Sequence, residues 1–204
     1  MKLYDSIGPN PRVVRMAIAE KGMTIETVTV DLMGAENRQA GYLAKVPTGG
    51  LPALELDDGT VIAEITVIAE FLEDLQPAPA IIGTTAAERA ETRMWTRRID
   101  LAIVEPMTNS FRAVEGRPLF ASRMTLLSTD AAAELKAIAQ EKLLWLDKLM
   151  QGRTWVCGDR HTLADLLLLA FVEFGVSVGQ PMPEAATWLP EWHKRAAARP
   201  SAAA

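Results

Sequence analysis

Gln76-Pro77-Ala78-Pro79 divides this chain into two stretches of different character. Two prolines in four residues make a stiff, extended connection, because each proline fixes its own φ and lacks an N–H. Before it, short β-rich segments alternate with helical ones. After it, no strand pair stands out, and long helical periodicities follow one another. The pattern predicts an α/β domain over residues 1–76 and an all-helical domain over residues 85–204.

Upstream of the junction, residues 64–75 place Ile65, Ile68, Ala69 and Leu72 on one helical face. Asp57-Asp58-Gly59 reads as a hairpin turn between strands at 53–56 and 60–62. Residues 36–44 read as a short helix, broken by Pro47, Gly49 and Gly50. Residues 25–30 are rich in β-branched side chains and read as a strand. Residues 12–21 form a helix with Val14, Ala17 and Ile18 on one face, stopped by Gly22. Residues 2–4 are a first short strand. Between that strand and helix, Gly8-Pro9-Asn10-Pro11 reads as a loop, with Asn10 or a neighbour as the cap. Strand, helix, strand at this spacing gives a parallel pair with a right-handed crossover. One mixed four-stranded sheet satisfies the whole order.

Downstream, residues 86–114 form a long helical stretch with Trp95, Ile99, Ala102 and Ile103 in register, kinked or divided by Pro106. Residues 131–150 are a second amphipathic helix. Residues 163–178 are apolar on nearly every face, which places them at the centre of a bundle. Residues 190–198 are a last short helix, and residues 201–204 read as a loose tail.

The 204 residues are 49% hydrophobic and 23% charged, the proportions of a globular protein with a real core. A net charge of −5 speaks against nucleic acid or an anionic membrane as partner. Cys157 is the single cysteine, so no intramolecular disulfide forms, as suits a reducing cytosol. The longest apolar run, residues 166–172, is too short to span a bilayer. His161 and His193 are the only histidines, and no metal-ligand cluster accompanies them. No GxSxG, P-loop or dinucleotide glycine fingerprint is present. The remaining option is a site built from backbone groups and a few polar side chains.

Four features fit that description. Gly49-Gly50-Leu51-Pro52 precedes a strand. A cis peptide at Pro52 would turn the Leu51 N–H and C=O outward, though the same residues also make an ordinary loop. Glu64-Ile65-Thr66 opens a helix. Its free N–H groups suit a carboxylate and Glu64 suits an ammonium, so an amino-acid head group fits the pair; alternatively Glu64 only favours its own helix dipole. Gly8-Pro9-Asn10 opens the first helix, where a thiolate would feel the dipole and accept from the Asn10 amide; alternatively Asn10 is simply the N-cap. Thr162-Leu163-Ala164-Asp165 is a capping box in its Asp form, a folding feature whose loss costs about 1 kcal/mol or more.

Taken in order, these residues resemble the cytosolic glutathione transferases, bacterial members in particular, over almost the whole chain. Residues 2–6 and 9–15 look like their first strand and helix. Pro47-Thr48-Gly49-Gly50-Leu51-Pro52-Ala53-Leu54 matches their cis-proline signature, and Glu64-Ile65-Thr66 falls where they carry a Glu-Ser pair. Gly158-Asp159 and Thr162-Leu163-Ala164-Asp165 match their capping box. The resemblance implies a thioredoxin-like first domain with a mixed four-stranded sheet, followed by an all-α helical bundle. It implies glutathione as co-substrate, held by the Gly50-Leu51-Pro52 loop, with Leu51 pairing like an added strand. It implies that Glu64 and the Ile65 N–H hold the γ-glutamyl end. Arg38 stands where relatives place a lysine near the glycine carboxylate, and Asn37 replaces a histidine common there.

The departures concern the sulfur. Gly8 occupies the position of the serine that activates the thiol in many relatives, Ile65 replaces a serine, and Gly50 lacks a frequent amide side chain. Some bacterial and fungal relatives use an asparagine near the first helix. Asn10 is therefore the first candidate for activating the thiol and Ser6 the second, while Tyr4 reads as structural. Cys157 lies too far along the chain to serve as a reductase cysteine.

The resemblance implies a glutathione transferase that activates the thiolate for attack on an electrophile or a peroxide. Met33, Met107 and Phe111 would wall the pocket for a small hydrophobic electrophile. The alternatives are a glutathione-dependent disulfide-bond reductase and a non-catalytic binding or regulatory module. Also expected are a homodimer through the helix carrying Arg97, Arg98 and Asp100, a cytoplasmic location, and neither metal, nucleic acid nor membrane.

Overall fold

Period-two alternation in strand β1 (Lys2–Asp5) organises the first part of the chain. Leu3 joins Val14, Leu54, Ile68 and Leu72 in one buried cluster, while Tyr4 packs against a second made of Val30, Tyr42, Val46 and Ala53. The computed structural model describes residues 1–204. It divides into two units, Met1–Glu88 with Arg199–Ala204, and Arg89–Ala198.

In the first unit, β2 (Glu26–Thr29), β3 (Ala53–Glu55) and β4 (Val61–Ala63) complete a sheet of order β2-β1-β3-β4. β1 runs parallel to β2, and β3 runs antiparallel to both of its neighbours. This is the expected mixed four-stranded sheet. Helices α1 (Pro9–Glu20) and α3 (Ile65–Leu75) supply Val14, Ile68 and Leu72 to the first cluster. A 3-10 turn at Glu36–Arg38 leads into the short helix α2 (Ala40–Leu43), which brings Tyr42 to the second.

Two details of this unit differ from the sequence reading. Pro9-Asn10-Pro11 is not loop but the first turn of α1, with Gly8 in the N-cap position. The first-turn N–H groups have no intrahelical acceptor, so a proline there forfeits nothing. The tail is not loose either. Residues Pro200–Ala203 form a 3-10 turn. Arg199 grips Glu20 of α1 through Nε and Nη2 at 2.8 and 2.7 Å, Ser201 donates to the same carboxylate, and Arg12 Nη2 donates to the Ala202 carbonyl at 3.0 Å.

The proline-rich connection is gathered rather than extended. The Glu73 carboxylate meets Lys21 Nζ at 2.7 Å and accepts from the N–H groups of Ile81 and Ile82 at 3.0 Å each. Lys21 also donates to the Pro79 carbonyl. Burial alone would raise the Glu73 pKa. The lysine and the two N–H donors outweigh it and hold the carboxyl below its ordinary range.

The remaining helices are α4 (Ala86–Ile99), α5 (Glu105–Ala113), α6 (Arg117–Phe120), α7 (Thr129–Leu149), α8 (Leu163–Ser177) and α9 (Trp188–Ala197). Pro106 does not end the helical path, which is divided just before it by a change of helix type. A π-turn at Asp100–Val104 widens the ladder just before it, which accommodates the missing N–H. α8 lies at the centre of the second unit, with Leu166 through Val172 all buried. Its capping box is present: Asp165 Oδ2 accepts from the Thr162 N–H at 2.9 Å. Oδ1 of the same carboxylate accepts from the Val156 N–H at 3.0 Å and the Trp192 indole N–H at 2.9 Å. Thr85 and Glu88 make a similar reciprocal cap at the start of α4. No helix is long and apolar enough to cross a membrane.

Candidate active site

The carboxyl ends of β1 and β4 and the amino end of β3 lie at one end of the sheet, because β3 is antiparallel to both. α1 therefore begins where β1 stops, and α3 begins where β4 stops. The pairing Tyr4↔Ala53 sets Ser6, two residues on, across from Leu51. The pairing Ala53↔Ala63 likewise sets Glu64 across from Pro52. Topology alone thus brings the two helix starts and the proline loop to one place. The α3 start offers unpaired N–H groups, whereas in the first turn of α1 only Asn10 does, since Pro9 and Pro11 carry none and the Arg12 N–H bonds the Gly8 carbonyl. Both starts present the positive end of a dipole. Neither α1 nor α3 carries an acidic residue in its first turn.

At the α1 side the two sulfur-activating candidates differ. The Ser6 hydroxyl is buried and donates to the Val30 carbonyl at 2.7 Å, tying β1 to the end of β2. Its proton is committed, which removes the geometric basis for Ser6 as an activating donor. Asn10 lies in the first turn, half-buried, and its carboxamide has no partner within the protein. It is not the N-cap, so the capping role proposed for it falls to Gly8. Gly8 has φ 113°, and a Cβ there would meet nothing within 4 Å. Backbone conformation, not crowding, keeps a side chain off this position. Arg15 braces the turn, donating to Asp5 Oδ1 at 2.7 Å and to the Ser6 carbonyl at 3.2 Å.

The Leu51–Pro52 peptide is cis. The loop before it is held at three successive carbonyls: Arg38 Nη1 donates to Thr48 at 3.0 Å, Asn37 Nδ2 to Gly49 at 2.7 Å and the Tyr42 hydroxyl to Gly50 at 2.7 Å. Gly49 has φ 64°, and a Cβ on it would come within 2.8 Å of the Asn37 carbonyl and 3.0 Å of Arg38 Nη1, so only glycine fits beneath that clamp. Burial, and secondarily the neighbouring Tyr4, pushes the Tyr42 hydroxyl above its ordinary range and keeps it a donor. The N–H and C=O of Leu51 have no partner in the protein. Tyr42 and its role in the clamp escape sequence reasoning, since an aromatic eight residues before a loop has no signature. Arg38 is exposed and next to the loop, as expected.

Glu64 sits at the N-cap of α3 with φ 74° and ψ 127°, one of two non-glycine residues with positive φ. Such a conformation costs on the order of 1–3 kcal/mol and persists where the surroundings impose it, as at ligand clamps. The Glu64 side chain is exposed and has no partner in the protein. Beside it the Ile65 and Thr66 N–H groups open the helix.

Other candidates resolve differently. Met107 is fully buried in the core of the second unit, Phe111 stacks edge-on against Phe174 at 5.0 Å, and Met33 is exposed on the first. Arg97 pairs with Asp100 at 3.0 Å on the surface of its own helix. Cys157 is buried, and burial pushes its thiol up despite contacts from Thr162 and Thr92, so it stays protonated and inert.

Known proteins share this arrangement. Residues 7–75 match the glutathione S-transferase N-terminal domain, and residues 111–200 match the glutathione S-transferase C-terminal domain. The chain is 32% identical to glutathione S-transferase 2 of Saccharomyces cerevisiae, over 98% of this chain and 87% of that one. It is 31% identical to a maleylacetoacetate isomerase of Pseudomonas aeruginosa, over 87% and 84%. The crystal structure of a glutathione S-transferase domain-containing protein from Marinobacter aquaeolei superposes with a TM-score of 0.92 at 36% identity, over 98% and 99% of the two chains. With matches over both parts of its length, this chain belongs to the glutathione S-transferase family.

Proposed function

We propose that this protein binds glutathione at the end of the sheet where α1 and α3 begin, and lowers the pKa of its thiol with the α1 start and the Asn10 amide. The observation that carries the reading is the convergence of groups of complementary chemistry, of which the Leu51 backbone edge and the Glu64 carboxylate have no partner in the protein. Leu51 offers a free backbone edge for the cysteinyl unit. Glu64 offers a carboxylate for the γ-glutamyl ammonium, and the N–H groups that open α3 suit its carboxylate. Arg38 suits the glycine carboxylate across the Pro52 loop, with Gly50 leaving the approach open. The sulfur then falls toward Gly8 and Asn10.

Each unit of thiol pKa requires about 1.4 kcal/mol of preference for the thiolate. A helix start supplies about 0.3–1 kcal/mol and a hydrogen bond to an anion about 1.5–3 kcal/mol, so one or two units are within reach. The thiolate attacks an electrophilic carbon of a small hydrophobic substrate, forming a thioether while the leaving group departs with the bonding electrons. With a peroxide the O–O bond breaks instead, and a second glutathione completes the reduction. Family membership alone leaves the reaction open, since relatives include a protein named as an isomerase. The reading includes a homodimer and a cytoplasmic location.

Calorimetric titration with glutathione, followed by turnover of an aryl halide, a hydroperoxide and a mixed disulfide, tests it. Expected are binding by the wild type and thioether formation from the aryl halide. Turnover of the mixed disulfide alone would identify a reductase instead. Binding without turnover of any acceptor would identify a binding module.

A further inference from the structure

We propose that the Tyr42 hydroxyl is a positioning residue for the tripeptide: by holding the Gly50 carbonyl it fixes the direction in which the Leu51 N–H points. The inference rests on the glutathione reading above and deepens it.

The Gly50 C=O and the Leu51 N–H belong to one peptide unit. That unit is planar and trans, the cis bonds being at Pro52 and Pro79. In a trans unit the C=O and N–H point in opposite directions. Tyr42 donates to the Gly50 oxygen at 2.7 Å, so the Leu51 N–H is aimed away from Tyr42. No other bond holds this unit, because the Leu51 N–H has no partner in the protein. Rotation of a peptide unit turns on ψ of the residue before it and φ of the residue after. The residue before is an exposed glycine, which opposes such rotation less than any other residue. The two preceding carbonyls are secured separately by Arg38 and Asn37. Of the three secured carbonyls, the one held by Tyr42 belongs to the unit that carries the free Leu51 N–H. The tyrosine ring is itself fixed: it is 7% exposed and packs edge-on against Tyr4 at 5.8 Å. Phenylalanine would preserve that packing and lose only the hydrogen bond.

Wild type and Tyr42→Phe are titrated with glutathione by calorimetry, and turnover is followed against glutathione concentration. Affinity should fall roughly fivefold, the worth of one net hydrogen bond. KM for glutathione should rise by the same factor, with kcat at saturation unchanged, since the groups at the α1 start are untouched. Tyr4→Phe, which breaks a bond to Glu55 and leaves Gly50 alone, should bind as the wild type does. Unchanged affinity in Tyr42→Phe overturns the proposal, as does a fall in kcat at constant KM. A matching loss in Tyr4→Phe assigns the effect to the packing of the paired rings and overturns it as well. Failure of the wild type to bind glutathione is a separate result, and it overturns the underlying reading.

Discussion

The helices α1 and α3, which start at one end of the sheet, begin differently from most of those that follow residue 85. α1 and α3 carry no acid in their first turn. α4, α7, α8 and α9 carry Glu88, Asp130, Asp165 and Glu191 there; α5 continues the path of α4 and has no start of its own, and the four-residue α6 carries no acid. A helix start has an effective charge of roughly +0.5, which either the chain or something else must answer. The carboxylates show the same contrast. Asp165 is buried with its oxygens occupied by Val156, Thr162 and Trp192. Glu64 is exposed, unpartnered and on strained backbone. One set of charges is completed by the fold. The other is left open at the price of strain, which is where a ligand belongs.

Asp165→Ala is the strongest way to break this comparison. It strands three donors in the core, and a buried network that loses its acceptor costs about 3–5 kcal/mol. The urea midpoint should fall accordingly, while the folded fraction keeps its glutathione affinity. A cost below about 1 kcal/mol would mean that Asp165 does not complete this network. Burial pushes the Asp165 carboxyl up to about 6 in spite of its donors. The unfolded value is near 4, so the native state holds the proton more tightly. Its contribution to stability is fully present below about pH 4 and lost as pH rises through about 6. Relative to Asp165→Asn, wild-type stability should therefore decline by on the order of 2 kcal/mol between pH 4 and pH 7. Glu73, with its lowered pKa, changes in the opposite direction but is common to both proteins and cancels.

Glu64→Ala comes next and should do the reverse. A charged hydrogen bond to the ligand is worth about 1.5–3 kcal/mol, so glutathione affinity should fall about 10- to 100-fold and retention on immobilised glutathione should be lost. The unfolding free energy should stay within about 0.5 kcal/mol, because nothing in the protein depends on that carboxylate. Glu64→Gly sharpens the point. It should lose binding equally while gaining about 0.5–1 kcal/mol, since glycine adopts a φ of 74° without the Cβ penalty. Equal loss of stability and affinity in Glu64→Ala would make the residue structural.

The features legible in sequence are those whose physics is local. The hairpin at Asp57-Asp58-Gly59, the capping box at Thr162 and the loop at Pro52 each declare themselves within a few residues. Thr85-x-x-Glu88 has the same spacing as Thr162-x-x-Asp165 and is just as local, though no long apolar run follows it. Prolines 9 and 11 mislead because the same residue breaks a helix interior and suits a helix start. What stays hidden depends on long-range pairing. The fate of the Ser6 hydroxyl follows from the position of Val30, 24 residues away. The tail is ordered by Glu20 and Arg12, 179 and 190 residues from their partners Arg199 and Ala202. Residue types alone cannot report such contacts, so the candidate sulfur-side residues could be named but not ranked by geometry.

The smallest effect, and the sharpest, is expected at Asn10. Asn10→Ala removes the amide donor and should raise the pKa of the bound thiol by about one unit, with kcat/KM falling about tenfold at neutral pH. Asn10→Asp keeps the shape and makes α1 begin as α4, α7, α8 and α9 do, with an acid in its first turn. Its interaction with the dipole should add about 0.3–1 kcal/mol to stability. The same charge opposes a thiolate beside it, so the thiol pKa should rise further than in the alanine variant. Thermal unfolding and ultraviolet titration of the bound thiolate read the two effects on one protein. Stability and reactivity moving in opposite directions would mean that the α1 start is kept free of acid for the ligand's sulfur. A more stable Asp variant with undiminished thiolate would place the sulfur elsewhere, and the contrast between the two sets of helices would then have no bearing on catalysis.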